Sequence, residues 1–252
     1  MILYRNLMVL NLIYRLKFLR YTGVLDMNYL VVVAHPDDEV LGAGATMYKF
    51  AQEGHSVNVC ILSGEVKARN NRPSIDELAI DVDSSLNILG VDRVIKGDFP
   101  NIEFNTVPHL NLVQFIEKAI IETNAEVVFT HHPADLNNDH LHTSLACQAA
   151  VRLFQRRPDL TPLKELLFME VPSATEWALN KAMNQFNPNT FIEVGENAVD
   201  KKIEALAQYR GVMRDYPHPR SNEALKGLAA YRGGQAGMVY AEAFESVIRR
   251  VV

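Results

Sequence analysis

The chain has 252 residues, a formal net charge of −5 and hydrophobic residues at 48% of its positions. This length and composition suit one large α/β domain whose core needs no disulfides. The mild acidity argues against nucleic acid as a partner, because nucleic-acid binding generally needs a basic face. A small-molecule substrate is compatible with this length, composition and net charge.

Residues 1–26 differ from the rest of the chain. They mix apolar residues with four basic ones, and their longest uncharged run, residues 6–14, is too short to span a bilayer. A cationic amphipathic helix on a membrane surface is one interpretation. We favour a peripheral, poorly ordered N-terminal extension, with the folded domain at 27–252.

From residue 28 onward, short β-branched runs alternate with longer amphipathic stretches. The spacing 74–77, Ser-Ile-Asp-Glu, is typical of a capping box at a helix start. In chain order the pattern predicts a strand at 28–33, a helix at 38–52, a strand at 57–62, a helix at 74–89, a short strand from 94, a helix at 107–123, a strand at 126–130, a helix at 139–154, a strand at 166–171, and helices at 198–209 and 235–249.

Strands that alternate with helices in this way predict a single Rossmann-like α/β domain, with a mostly parallel sheet and helices on both faces. Ligands of such sheets bind at the carboxyl ends of the strands. The first strand runs into 34–39, Ala-His-Pro-Asp-Asp-Glu, and the fourth runs into the histidine- and aspartate-rich stretch 131–140. We therefore expect these two segments to meet at one edge of the sheet.

The first of these segments places one imidazole and three carboxylates within five residues, 35–39. Packed negative charge of this kind is unfavourable unless a cation relieves it. A catalytic zinc ion takes three protein ligands and keeps one position for water. His35 and one of the aspartates supply two ligands, and His140 is the favoured third.

At these residues the sequence resembles the PIG-L, or LmbE-like, de-N-acetylase family. That family carries an A/P-H-P-D-D-E motif after its first strand and an H-x-D-H-type motif after a later one. Residues 34–39 match the first motif in full, and residues 137–140, Asn-Asn-Asp-His, match the second in part. The resemblance extends from about residue 28 to the C-terminus, including 240–244.

The resemblance implies a zinc-dependent hydrolase that removes an acetyl group from an N-acetylated sugar or glycoconjugate. It implies one Zn²⁺ per chain, with Fe²⁺ as the alternative, held by His35, Asp38 and His140. Asp37 would be the general base that acts on zinc-bound water. Asp139 would orient neighbouring groups by hydrogen bonding.

Asn137 departs from the family pattern, because many members have a histidine there that stabilises the oxyanion. An asparagine can donate a hydrogen bond, but it cannot carry a proton. We therefore expect Asn137 to keep the donor role. The acid role then falls to His131, His132 or Asp37.

Substrate contacts are expected from polar residues that follow the strands. Arg69 and Arg72 follow the second strand, and their guanidinium groups can bind a phosphate through paired hydrogen bonds. That these arginines simply lie in a solvated loop is an equal alternative. His218, Arg220 and Arg232 in the C-terminal part either fold over the site or lie in surface turns, and we favour surface turns for each of them. The expected substrate-binding residues are Glu65, Arg69, Arg72, Asp98 and His131.

Two alternative functions stay open. The first is a metal-dependent phosphoesterase, which often uses two metals. The second is a sugar-binding member of the same fold with weakened catalysis, which the Asn137 replacement keeps in consideration. The two cysteines, Cys60 and Cys147, lie in apolar runs and favour buried thiols and a cytoplasmic location. The oligomeric state is left open, with a homo-oligomer as one alternative.

Overall fold

The computed structural model describes residues 26–65, 73–179 and 185–251. Almost the whole predicted N-terminal extension, together with Arg69 and Arg72, lies outside the described residues. Among the described helices, none is both long enough and apolar enough to cross a membrane. The strands are β1 (Asn28–Val33), β2 (Ser56–Ile61), β3 (Arg93–Lys96), β4 (Val127–His131), β5 (Glu165–Met169), β6 (Thr190–Glu193) and β7 (Ala241–Arg249). The helices are α1 (Asp38–Gln52), α2 (Ile75–Leu89), α3 (His109–Thr123), α4 (Asn138–Ala150), α5 (Gly195–Leu206) and α6 (Asn222–Ala236).

The seven strands form one sheet in the order β3-β2-β1-β4-β5-β7-β6. The first five in that order are parallel. The last two pair antiparallel, β7 with β5 and β6 with β7. The predicted Rossmann-like domain with a mostly parallel sheet is therefore confirmed, and two antiparallel strands complete one side of the sheet.

Helices cover both faces of the sheet because the central strands are apolar on both sides. In β1, Val31 and Val33 belong to a core with α1, α2 and α5, whereas Leu30 and Val32 belong to a second core with α3 and α4. Both cysteines are free and buried in the second core, as predicted. The capping box at Ser74 is also present.

The predicted helix at 235–249 is wrong. Helix α6 ends near Ala236, where Gly237 adopts a φ of 73°, and the chain then forms β7. The alanine- and glutamate-rich start of β7 suits a helix by composition. It is a strand because it lies between β5 and β6, where residues 241–244 are all buried. Neither β6 nor α6 was predicted, since the predicted helix at 235–249 overlaps only the last two residues of α6.

Helix α1 is kinked at Ala43, whose φ of −143° lies outside the helical range. The kink opens the backbone hydrogen-bond ladder. A buried ion pair replaces the lost partners: the Lys202 ammonium donates to the Leu41 carbonyl at 2.7 Å, and the Glu242 carboxylate accepts from the amides of Ala45 and Thr46. Lys202 and Glu242 also bond each other at 2.7 Å. The pair therefore fixes the helix whose first turn enters the functional site.

The substitution Lys202→Met tests this role. It leaves the Glu242 carboxylate buried without its cation, which typically costs about 3–5 kcal/mol in the free energy of unfolding. Lys201→Met in the same helix is the matched control, because Lys201 forms an exposed pair with Glu204 and exposed pairs contribute little. Urea denaturation measures both variants, and equal midpoints for the two would contradict the role of the buried pair.

Candidate metal centre and active site

The candidate site lies at the carboxyl ends of the two central strands β1 and β4. The segment after β1 supplies His35, Asp37 and Asp38, and the first turn of α4 supplies Asp139 and His140. All five are buried. The sheet topology therefore brings together the two chain segments that the sequence analysis expected to meet.

Three side chains converge on one point. His35 Nδ1 lies 3.3 Å from Asp38 Oδ2, and His140 Nε2 lies 3.2 Å from the same oxygen. The ligand atoms of these three residues all lie within 4.8 Å of one another. Two imidazole nitrogens and one carboxylate are the donor set of many catalytic zinc sites.

The second nitrogen of each imidazole bonds a buried carboxylate. His35 Nε2 lies 2.9 Å from Asp139 Oδ2, and His140 Nδ1 lies 2.9 Å from Asp135 Oδ2. A carboxylate accepts, so these nitrogens carry hydrogen, and the nitrogens that face Asp38 are the ones that a cation can bind once it has displaced their protons. This arrangement of carboxylate, histidine and metal is the one that orients metal ligands in proteins.

Asp139 also anchors a neighbouring loop. Its carboxylate accepts hydrogen bonds from the backbone amides of Ile102, at 2.6 Å, and Phe104, at 3.0 Å. The same carboxylate therefore sets the orientation of His35 and the course of the chain after β3. It is wholly buried behind the ligands, which fits the orienting role expected for it.

The electrostatics of the cluster favour positive charge. Burial lowers the pKa of His140, but Asp38 and Asp135 more than compensate, so the pKa rises to about 10. Burial raises the pKa of Asp38, but the charge and hydrogen bonds of the histidines hold it well below its usual range. The cluster therefore attracts cations, and the residues present fit a divalent ion that displaces protons from the imidazoles.

A second group with possible ligand atoms contains His131, Asp135 and His140. It shares His140 with the first group, and His131 Nε2 already accepts from the Ala34 amide at 2.9 Å. The His131 ring is wholly buried and stacks on His140 with 3.8 Å between ring centres. The two groups therefore describe one centre, in which His131 supports the ligand His140.

Asp37 occupies a strained backbone position beside the ligands. Its φ is 104°, and its amide donates to Glu39 Oε2 at 3.1 Å. The Glu39 carboxyl is wholly buried, and the Tyr209 hydroxyl donates to its other oxygen. Burial raises the pKa of Glu39 to about 8. Glu39 and Tyr209 thus hold the Asp37 backbone in a conformation that presents its side chain to the cavity.

A cavity of about 430 Å³ opens over the ligands. Asn137 lines it and also caps α4, because its side-chain oxygen accepts from the Asp139 amide at 2.9 Å. Arg220 lines it as well, with Nη1 4.0 Å from Asp37 Oδ2. The favoured interpretation of Arg220 as a surface turn residue is therefore wrong, and the alternative, that Arg220 folds over the site, agrees with its place in the cavity wall. No local pattern marks this arginine, because its place depends on the fold of the segment before α6.

Three of the expected substrate-binding residues do not line this cavity. His131 lies behind His140, Asp98 is exposed to solvent outside the cavity, and Glu65 donates its amide to Ser63 in the loop after β2. Sequence reasoning also missed two apolar cavity residues, Ile102 and Trp177. Neither carries a recognisable motif, so only the folded loops reveal them.

The model of the PIG-L family, described as GlcNAc-PI de-N-acetylase, matches residues 30–151. This range contains both motifs and every residue of the metal centre. YaiS of Escherichia coli K12, described as an uncharacterized deacetylase, is 28% identical over 189 residues, which cover 72% of this chain and 89% of that protein. The resemblance to the PIG-L family inferred from the motifs is thereby confirmed.

Two solved structures share the fold. The conserved protein TT1542 from Thermus thermophilus is 27% identical, with a TM-score of 0.71 over 90% of this chain and 97% of that one. GalB, the 4-carboxy-2-hydroxymuconate hydratase from Pseudomonas putida KT2440, is 23% identical, with a TM-score of 0.71 over 90% and 98%. Because the second is a hydratase, the fold alone does not fix the chemistry.

The substitution Asp135→Asn tests how the metal centre is oriented. It removes the charge that holds His140 Nδ1, and losses of this kind typically weaken metal binding about 10- to 100-fold. Asp83→Asn is the matched control, because Asp83 is exposed and pairs with Lys96 on the surface, away from the metal centre. Competition titration with a zinc-sensitive chelator measures both affinities. An affinity unchanged by Asp135→Asn would remove Asp135 from the centre.

Proposed function

We propose that the protein is a metal-dependent hydrolase that removes the acetyl group from an N-acetylated sugar or sugar conjugate. The observation that carries this proposal is the convergence of His35, Asp38 and His140 beneath a cavity that Asp37 also lines. The match to the de-N-acetylase family model supports the reaction class, and its description supports N-acetylglucosamine as the sugar. Two buried free thiols support a cytoplasmic location.

We propose zinc as the ion, with Fe²⁺ as the alternative, because imidazole and carboxylate suit both. When bound, such an ion supplies a water of lowered pKa and polarises the carbonyl that is attacked. Binding the ion is the task of His35, Asp38 and His140. Asp135 and Asp139 hold the two imidazoles in the required tautomer.

Asp37 is the proposed general base. It lines the cavity next to the ligand Asp38, and its backbone is fixed by Glu39. Among the described residues, the only histidines that line the cavity are the two ligands. The proton that the leaving amine needs is therefore assigned to Asp37, which receives a proton from water in the first step and returns it in the second. Arg220 keeps the Asp37 side chain near a positive charge.

Asn137 is the proposed hydrogen-bond donor to the oxyanion. Its side-chain oxygen is occupied as the cap of α4, so its amide nitrogen is the part left to face the cavity. A donor fixed in this way needs no reorganisation during the reaction. The cap therefore determines the orientation of the catalytic amide.

The phosphoesterase alternative is not favoured. Two-metal phosphoesterases need ions about 3.5–4 Å apart with separate ligands. Here the two candidate ligand groups share His140. The described residues thus provide one centre, which suits amide hydrolysis by a single ion.

The substitution Asp37→Asn tests whether Asp37 is the general base. Asparagine tolerates the left-handed backbone conformation of this position, so the loop stays intact, but it cannot accept the proton. We expect kcat for acetate release from an N-acetylglucosaminide to fall about 10²- to 10⁴-fold. Zinc affinity, measured on the same preparation, should stay within a few-fold of wild type. Full activity in this variant would exclude Asp37 as the base.

The substitution Asn137→Asp separates the donor role from the cap. Aspartate caps a helix as well as asparagine, but its carboxylate donates no hydrogen bond. We expect kcat to fall about 10²- to 10³-fold while the thermal midpoint is unchanged. Asn137→Ala, which loses the cap as well, should lower both. If Asn137→Asp retains wild-type kcat, the residue is only a cap.

A further inference from the structure

The mouth of the cavity carries three large apolar side chains that are open to solvent. Ile102 is 44% exposed, Leu136 58% and Trp177 42%, and all three line the cavity that holds the metal centre. We call these three residues the apolar rim. Large exposed apolar side chains that line a polar cavity usually mark a ligand contact.

The rim is fixed in place although it is exposed. The Ile102 amide donates to Asp139, and the Leu136 amide donates to the Ala174 carbonyl at 3.3 Å. The Trp177 ring packs edge-on against His218, with 5.8 Å between ring centres. A preorganised apolar surface binds a ligand at a smaller entropic cost than a mobile one.

The backbone at Ile102 indicates that its side chain has a role. Its φ is 62°, in the left-handed region that β-branched residues rarely adopt. Glycine or asparagine would occupy this position with less strain. Strain retained at a cavity wall points to function, and here it places an apolar group at the mouth.

We propose that the substrate carries an apolar aglycone, which the apolar rim contacts while the acetamide reaches the metal centre. This inference rests on the proposed deacetylase function. The polar groups of the site lie at the floor of the cavity, where His35, Asp37 and His140 surround the reacting amide. The rim lies along the same cavity, so a sugar held at the floor directs its aglycone to the rim.

The test compares glycosides of N-acetylglucosamine that differ only in the aglycone: methyl, hexyl, and an ether chain of hexyl length with two oxygens. Each fully buried methylene contributes a factor of about four. We expect kcat/KM for the hexyl glycoside to exceed the methyl and ether values at least about tenfold.

Substitutions in the apolar rim then test whether these residues cause the preference for the hexyl glycoside. Ile102→Asn and Leu136→Ala should each lower the hexyl-to-methyl ratio at least about threefold, since each removes apolar surface from the rim. Ile102→Asn should do so without lowering Tm, since asparagine tolerates the left-handed backbone. Leu145→Ala is the matched control, because Leu145 is 43% exposed on α4 but does not line the cavity. It should leave the ratio unchanged.

A binding measurement that needs no turnover completes the test. Trp177 is the only tryptophan of the chain, so its fluorescence reports on the rim. Hexyl glucosaminide, which lacks the acetyl group, should shift the emission to shorter wavelength, and methyl glucosaminide should not. If every glycoside releases acetate at similar kcat/KM, the rim proposal is overturned and the proposed function stands. If none releases acetate, the proposed function fails, and the emission shift alone decides whether the rim binds an apolar group.

Discussion

The structure of the site depends on a buried chain of alternating acidic and basic groups, Asp139–His35–Asp38–His140–Asp135. Each carboxylate would be costly to bury alone, and each is stabilised by the imidazole beside it. A divalent cation bound to the imidazoles supplies positive charge beside the same three carboxylates, so ion binding keeps the buried acidic groups compensated.

This series of hydrogen-bonded side chains also connects the site to the rest of the fold. Asp139 bonds the loop after β3, and Asp38 begins helix α1, whose kink is held by Lys202 and Glu242. Of the four described non-glycine residues with positive φ, three line the cavity: Asp37, Ile102 and Ser173. Backbone strain is thus concentrated where the chemistry is proposed, and buried acceptors such as Glu39 and Asp139 hold it.

The parallel part of the fold was predictable because strands buried on both faces have continuous apolar sequences, as in β1 and β4. The C-terminal part was not, because β7 becomes a strand only through its neighbours β5 and β6. Of the site, the two motif segments were predictable from their position after strands. The contributions of Tyr209, Arg220 and Trp177 depend on loops whose contacts no local pattern encodes.

We propose that His35, Asp38 and His140 together bind one divalent ion. A crystal structure of the zinc-loaded protein, with anomalous data at the zinc edge, tests it most directly. We expect one anomalous peak at full occupancy, about 2.0–2.2 Å from His35 Nδ1, an Asp38 oxygen and His140 Nε2. A peak bound by other residues, or no peak at these three side chains in zinc-saturated crystals, would contradict the account.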